Sequence, residues 1–555
     1  MNIFRRLAAL SAFAASVALS SQSSSAPGEP MPKQAPVVNA PAGPLQGESD
    51  GALNIFRGIP YAAPPVRGLR WRAPVPLLPW TNVRKATAFG PACIQPRSKI
   101  ASVYTSDVGP MSEDCLTLNI WTPADAHNAP VFVWIYGGAL WGGMAHDPLY
   151  DGARMAKRGI VVVTINYRLG VIGWLAHPGL SAESPQHVSG NYGLLDQIAA
   201  LRWVKDNIGA FGGDAANVTI AGESAGGLSV MYLMTSPEAR GLFQKAIAES
   251  AYMVSTPELK RARYGSPSAE DIGARTAAGL QASNIAALRA MDAEALTAAA
   301  PAAGFQPFGA IDGKILPKQL VDVFDAGEQA HVPLLAGFNA GEIRSLRILA
   351  PQPPADAGTY EKEIRSRYGD LSDEFLRLYP SINYKESILA TTRDALYGWT
   401  AERLVRKQTA ISQPAYLYFF DHGYPAADNA DLHAFHASEL PYVFGTLDRT
   451  PPNWPKIPAT LQEQALSDAM LDYWTSFART GKPQAATQPD WPLYGTDGAY
   501  MDFTDAPHPA KTLLPGMYAL HEEAMCRRKT AGGIAWNWNT GLASPKLPDK
   551  GTCSP

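Results

Sequence analysis

NVTIAGESAGGLSVMYLM occupies residues 217–234 and leaves the chain little choice. NVTIAG (217–222) is a short apolar, β-branched run that reads as a buried strand, and GLSVMYLM (227–234) reads as helix. Only the centre of G-E-S-A-G lies between them, so a strand has to turn straight into a helix around Ser224. Gly222 and Gly226 allow so tight a turn, which presents the serine hydroxyl at a helix N-terminus, where negative charge is favoured. The same alternation runs through the chain. VFVWIY (131–136), IVVVTINY (160–167), VPLLAGF (332–338) and AYLYFF (415–420) read as strands. LLDQIAALRWVKDNI (194–208) carries Leu194, Ile198, Leu201, Val204 and Ile208 on one helical face. Alternating strands and helices predict an α/β fold, a mostly parallel central sheet flanked by helices. The Ala-rich stretch 266–303 and the segment 359–407 predict helical cap insertions, placed near 255–305 and 355–410.

Composition sets outer limits. The 555 residues are 46% hydrophobic and 17% charged, enough for a large core, and the net charge of −3 offers no basic face for nucleic acid. Arg5, Arg6 and the apolar run Leu7–Leu19 predict a secretory signal over residues 1–25, too short an apolar run to span a bilayer. A Pro-, Gly- and Ala-rich linker follows, then a main domain over 26–525 and a C-terminal tail over 526–555. The expected location is secreted or periplasmic, with no stable membrane insertion once the signal is removed. Cys93, Cys115, Cys526 and Cys553 suit an oxidising compartment. Four cysteines allow three pairings; the sequence-local ones, 93–115 and 526–553, each close a modest loop and are preferred.

An activated serine needs a base, and the base needs an orienting acid. In α/β-hydrolases these follow in the order serine, acid, histidine. The loop after AYLYFF holds His422, His433 and His436, and spacing does not choose among them.

FGGDAANVTIAGESAG (211–226) and EDCLTLNIWTP (113–123) match two signatures of the type-B carboxylesterases. FRGIPYAAPPVRGLRWRAP (56–74), NYRLGVIGWLAHPGLSAES (166–184) and NYGLLDQIAALRWVKDNIGAFGG (191–213) are also similar to that family. The family contains serine esterases such as cholinesterases, and the non-catalytic neuroligins. The resemblance implies the α/β-hydrolase fold and a carboxylic ester hydrolase. In AFHASELPYVFG it selects His436 as base, with Ala437 where the family usually has glycine. In GFNAGEIRSL it selects Glu342 as acid, with Gly341 and Ile343 in place of the usual Asp and Gly. Asp312, in AIDGKILP, reads as a turn residue. The resemblance further implies an oxyanion hole from the N–H groups of Gly138, Ala139 and Ala225, with Gly137 allowing close approach and Ala139 adding a methyl beside the reacting carbon. The expected chemistry is two-step acyl transfer on a small-molecule ester, without metal or organic cofactor. A binding module of the same fold and an acyltransferase, lactonase or amidase using the same triad are the alternatives. Tyr136, Trp141 and Trp174 are candidates for a substrate gorge, with core packing as the equal alternative. Arg344 and Arg347 are expected in surface ion pairs. The sharper alternative is that one binds a substrate carboxylate and gives a preference for esters of polycarboxylic acids.

Overall fold

The run at 131–136 lies at the centre of an eleven-stranded sheet in the computed structural model, which describes residues 35–97, 101–550 and 553. The signal assigned to residues 1–25 lies outside the described residues. In chain order the strands are β1 Glu48–Ser49, β2 Leu53–Pro60, β3 Thr117–Pro123, β4 Ala129–Ile135 and β5 Val161–Ile165. They continue as β6 Gly213–Glu223, β7 Lys245–Glu249, β8 Leu334–Asn339, β9 Ala415–Phe420, β10 Ala499–Phe503 and β11 Pro507–Lys511. Across the sheet they run β11-β10-β9-β8-β7-β6-β4-β5-β3-β2-β1. Strands β4 to β10 are mutually parallel; β1, β2 and β3 at one edge and β11 at the other pair antiparallel. Every residue of β4, β5, β7, β8 and β9 is buried. This is why β4, β5, β8 and β9 are near-continuous apolar runs with no polar alternation: helices cover both faces of a parallel sheet.

The helices that position the site are α1 Tyr192–Asn207, α2 Ala225–Thr235, α3 Trp399–Ala410, α4 Leu461–Thr480 and α5 Met517–Ala531. Helix α2 is buried along its whole length. Shorter helices lie between β7 and β8 (Ala269–Gly279, Ile285–Ala290, Ala293–Ala299). Between β8 and β9 the chain forms Ala357–Tyr368, Ser372–Leu378 and Tyr384–Arg393, then a π-helical turn, Asp394–Gly398, that leads into α3.

Both sequence-local disulfides are present, Cys93–Cys115 and Cys526–Cys553. Residue 526 lies inside α5, and beyond that helix Trp536 is fully buried. The C-terminal segment is part of the fold because its large aromatic side chain has nowhere else to leave water.

Strands β4 and β6 lie in register with Gly222 opposite Ile135. The turn after β6 places Ser224 at φ 57° and ψ −119°, directly ahead of α2. A Cβ on Gly222 would stand 2.6 Å from the Gly226 carbonyl and 2.7 Å from the Ile135 oxygen. One on Gly226 would stand 2.0 Å from that same oxygen. The two glycines of G-E-S-A-G are therefore required by backbone crowding against β4. Gly226→Ala is expected to destabilise the fold by at least about 3 kcal/mol, because the obstacle is backbone and does not yield like a side chain. Urea unfolding of the variant beside the parent protein measures it.

Candidate active site

The sharp turn puts Ser224 at the C-terminal end of the sheet. Its N–H donates to the Glu249 carbonyl at the end of β7 (2.9 Å), and its carbonyl accepts from Leu228 N–H (2.9 Å). The turn is tied down on both sides while the residue keeps 9% exposure. Opposite it, β4 ends at Ile135 and the chain enters Gly137–Gly143. A Cβ on Gly137 would stand 2.7 Å from the Glu223 carbonyl oxygen and 3.1 Å from Ser224 Cβ. Glycine is what lets this loop lie against the serine. Gly138 (φ 98°), Ala139 (φ 54°) and Leu140 (φ 59°) are all left-handed. Trp141 and Gly142 N–H bond back to the Gly138 carbonyl at 2.9 and 3.1 Å, and Gly138 and Ala139 are left exposed. Ala225 begins α2, so its N–H is one of the helix's unpaired first donors.

His436 comes from the loop after β9 and Glu342 from the loop after β8. The two loops are laced together. Gly341 N–H donates to the Ala434 carbonyl (2.8 Å), and Asn339 Nδ2 donates to the Phe435 carbonyl (2.9 Å). A Cβ on Gly341 would lie 2.7 Å from the Leu432 oxygen, which gives the glycine before Glu342 a packing reason. Glu342 Oε1 accepts from Asn339 N–H at 2.8 Å, and Oε2 is hydrogen-bonded to His436 Nδ1. Nε2 of His436 faces the turn, 3.0 Å from Glu223 Oε1, close enough to pair. No hydrogen bond joins Ser224 Oγ to His436 among the described residues. Tyr104, from the Cys93–Cys115 loop, donates its hydroxyl to the His436 carbonyl (2.9 Å) and accepts from Ser345 Oγ (2.5 Å). The Tyr397 ring, on the π-helical turn, lies 5.2 Å from the imidazole.

Buried charge dominates this region. Burial disfavours the His436 imidazolium, but the Glu223 and Glu342 carboxylates outweigh it and push its pKa well above the usual value. Burial raises Glu223, and the neighbouring imidazolium opposes that rise. Burial also raises Glu249 to about 8, although Trp474 Nε1 donates to its Oε1 at 2.8 Å. Glu439 is pushed well above its usual value by burial and by the charges of Glu223, Glu249 and Glu342. Burial thus biases both Glu249 and Glu439 toward the neutral acid, which limits the negative charge packed around one histidine.

The sequence profile of the carboxylesterase family matches residues 34–518. The chain belongs to the carboxylesterase family. It is 37% identical over 488 residues to fumonisin B1 esterase of Sphingopyxis macrogoltabida, covering 84% of this chain and 86% of that one. It is 36% identical over 475 residues to para-nitrobenzyl esterase of Bacillus subtilis, covering 82% and 92%. Among solved structures, a PNB esterase superposes with a TM-score of 0.76 at 34% identity, over 88% of this chain and 99% of that one. A carboxylesterase of Geobacillus stearothermophilus superposes at 0.69 and 33% identity, over 87% and 99%. The chain is a carboxylic ester hydrolase of the α/β-hydrolase fold.

The other residues singled out in the sequence of this esterase have different neighbours. His422 Nε2 meets Glu463 Oε2 at 3.0 Å, and His433 bridges Asp428 (2.8 Å) and Asp421 (3.0 Å). Asp312 is the expected turn residue: its Oδ1 accepts from the N–H groups of Lys314, Ile315 and Leu316. Arg344 pairs with Glu386 (2.6 Å) and Asp431 (2.5 Å), and Arg347 pairs with Asp431 (2.5 Å). Of the three gorge candidates, Tyr136 and Trp174 are core: Tyr136 stacks on Tyr167 at 4.6 Å, and Trp174 packs by Tyr232. Trp141 is half-buried, edge-on to Phe305. Sequence reasoning passed over Glu223, although it sits in the variable place of G-E-S-A-G, next to the serine. Tyr104 and Tyr397 carry no local signal at all. Among the described residues, no cluster of His, Cys, Asp and Glu is arranged to hold a metal ion.

A histidine held charged by two carboxylates serves as a base only after it loses its proton. Ester turnover is therefore expected to rise with pH through a value above the ordinary histidine range. The stability that the raised pKa contributes runs the opposite way, full below the unfolded histidine's pKa and lost as pH climbs through the folded one. Glu223→Gln removes one of the two carboxylates and should move the acidic limb of the kcat/KM profile to lower pH. An unmoved limb would show that Glu223 does not set the charge of His436.

Proposed function

We propose that this esterase cleaves small-molecule carboxylic esters by acyl transfer through Ser224, with His436 as base and Glu342 as the acid that orients it. The observation that carries this reading is the attitude of His436: Nδ1 is bound by Glu342, and Nε2 is turned to the strand–helix turn that bears Ser224. In the mechanism, neutral His436 takes the Ser224 proton as Oγ attacks the ester carbonyl. Glu342 holds the tautomer that leaves Nε2 free, and the imidazolium that forms is stabilised by Glu342 and Glu223 together. The tetrahedral oxyanion is held by the N–H groups of Gly138, Ala139 and Ala225, donors that need no reorganisation. His436 returns the proton to the departing alcohol. Water, activated by the same imidazole, then releases the acid from Ser224.

Secretion or a periplasmic location belongs to the same proposal. It is supported by the apolar run at Leu7–Leu19 and by the pairing of all four cysteines. The names of the relatives point to fumonisin B1 and to para-nitrobenzyl esters, so they do not define one acyl or alcohol group. Two arginines already paired with Asp431 are poor anchors for a substrate carboxylate, since the ligand has to displace a partner of the same kind.

Ser224→Ala and His436→Ala should each lower kcat by about ten-thousandfold or more, with the double variant little worse than either single one. Ser224→Ala retaining near-parent turnover on a panel of esters would refute the mechanism. Arg344→Ala should leave the ratio of kcat/KM for a neutral ester and its carboxylate-bearing analogue within about twofold, the range of a screened surface pair. A selective loss on the charged ester would instead restore the polycarboxylate preference.

A further inference from the structure

The second glycine pair of WIYGGALWGG, Gly142-Gly143, has no role in the chemistry above. Its surroundings give it one. Gln95, two residues after Cys93 and 5% exposed, reaches across to this loop. Its Oε1 accepts from Gly143 N–H at 2.9 Å, and its Nε2 donates to the Gly143 carbonyl at 2.9 Å. Nε2 also donates to the Cys93 carbonyl at 3.2 Å. One side-chain amide thus grips both polar groups of a single glycine and ties them to the base of the disulfide loop.

The glycines are what admit it. A Cβ on Gly142 would stand 3.0 Å from Gln95 Oε1. Gly143 (φ 112°) could carry no side chain either, since its Cβ would fall 2.4 Å from the Tyr136 ring. The segment held this way is strained, and besides its own turn bonds Gly170 N–H donates to the Leu140 carbonyl at 2.7 Å. Ala139 and Leu140 are consecutive non-glycine residues in the left-handed region, each disfavoured by about 1–2 kcal/mol. Such a conformation persists only where its surroundings impose it. On the near side Gly137 is wedged against Glu223 and Ser224; on the far side Gln95 fixes Gly143.

We infer that Gln95 is a positioning residue for the oxyanion hole: by clamping Gly143 it holds the Gly138 and Ala139 N–H groups where the tetrahedral intermediate needs them. This rests on the proposed role of those donors. Gln95 touches no reacting atom, so its effect belongs to the transition state rather than to substrate binding. Misplacement of such donors by a fraction of an ångström lowers the rate without removing any of them.

The test uses two variants of the full-length esterase. Gln95→Leu keeps the bulk and removes every polar contact. Gln95→Glu keeps the acceptor for Gly143 N–H but sets a carboxylate against the Gly143 and Cys93 carbonyls; once protonated it regains a donor. In both, kcat is expected to fall roughly ten- to a hundredfold with KM within about threefold. Inhibition by a trifluoromethyl ketone, which forms a tetrahedral oxyanion adduct on the serine, should weaken in parallel, while a non-reactive alcohol analogue of the same shape binds as before. The Gln95→Glu rate relative to the parent should recover as pH falls. Parent-like kcat in both variants overturns the inference. So does equal weakening of the ketone and the alcohol analogue, or loss of activity that merely tracks a lowered Tm. Phosphonylation of the parent by a fluorophosphonate, blocked by Ser224→Ala, is the control: without it the reading of the site falls, and the clamp falls with it.

Discussion

Everything at this site depends on a backbone contact, the Ile135 carbonyl oxygen lying against the turn at Gly222 and Gly226. Because β4 and β6 are neighbours in register, the ends of both arrive at the same height. One end becomes the serine turn and the other the glycine-rich loop, and no side chain fits between them. Backbone pressed on backbone makes a rigid boundary, so the N–H groups on the two sides are fixed relative to each other by the sheet and not by flexible side chains. Ser224 itself takes a strained positive φ in this crowded turn from β6 into α2.

The second constraint is electrostatic. His436 sits among Glu223, Glu249, Glu342 and Glu439, all buried, a grouping too costly to ionise as a whole. The burden is divided unequally: burial pushes Glu249 and Glu439 toward the protonated form, while Glu223 and Glu342 favour the imidazolium between them. The arrangement favours the charged form of the His436 imidazole. The Glu342 carboxylate is itself held by a backbone N–H, that of Asn339.

The sequence carried the fold well because the strands are buried on both faces and so appear as plain apolar runs. AYLYFF coincides with β9 to the residue, whereas NVTIAG understates β6, which begins at Gly213 and shifts register before Val218. Ser224 was legible from five adjacent letters, since its geometry is local. The histidine was not: three lie in one loop, and they differ in their partners, Glu463 for His422, Asp421 and Asp428 for His433, and Glu342 for His436. Resemblance to the family, not spacing, pointed to His436. Aromatic residues were the least legible, because bulk alone does not distinguish Tyr136 in the core from Tyr397 beside the imidazole. Gln95 and Gly143 meet across 48 residues, beyond any local pattern.

The Cys93–Cys115 loop has a consequence for how such proteins are recombined. It reaches the site at two separate places, Gln95 on the glycine loop and Tyr104 on the carbonyl of His436. Its ends are joined to each other, so it behaves as a cassette with a covalent collar. A chimaera whose crossover points lie outside the two cysteines carries both contacts from the same parent. A crossover within the loop draws Gln95 from one parent and Tyr104 from the other, and sets two independently evolved fits against a single active site. For shuffling between relatives at this level of identity, the disulfide marks where the chain is best cut.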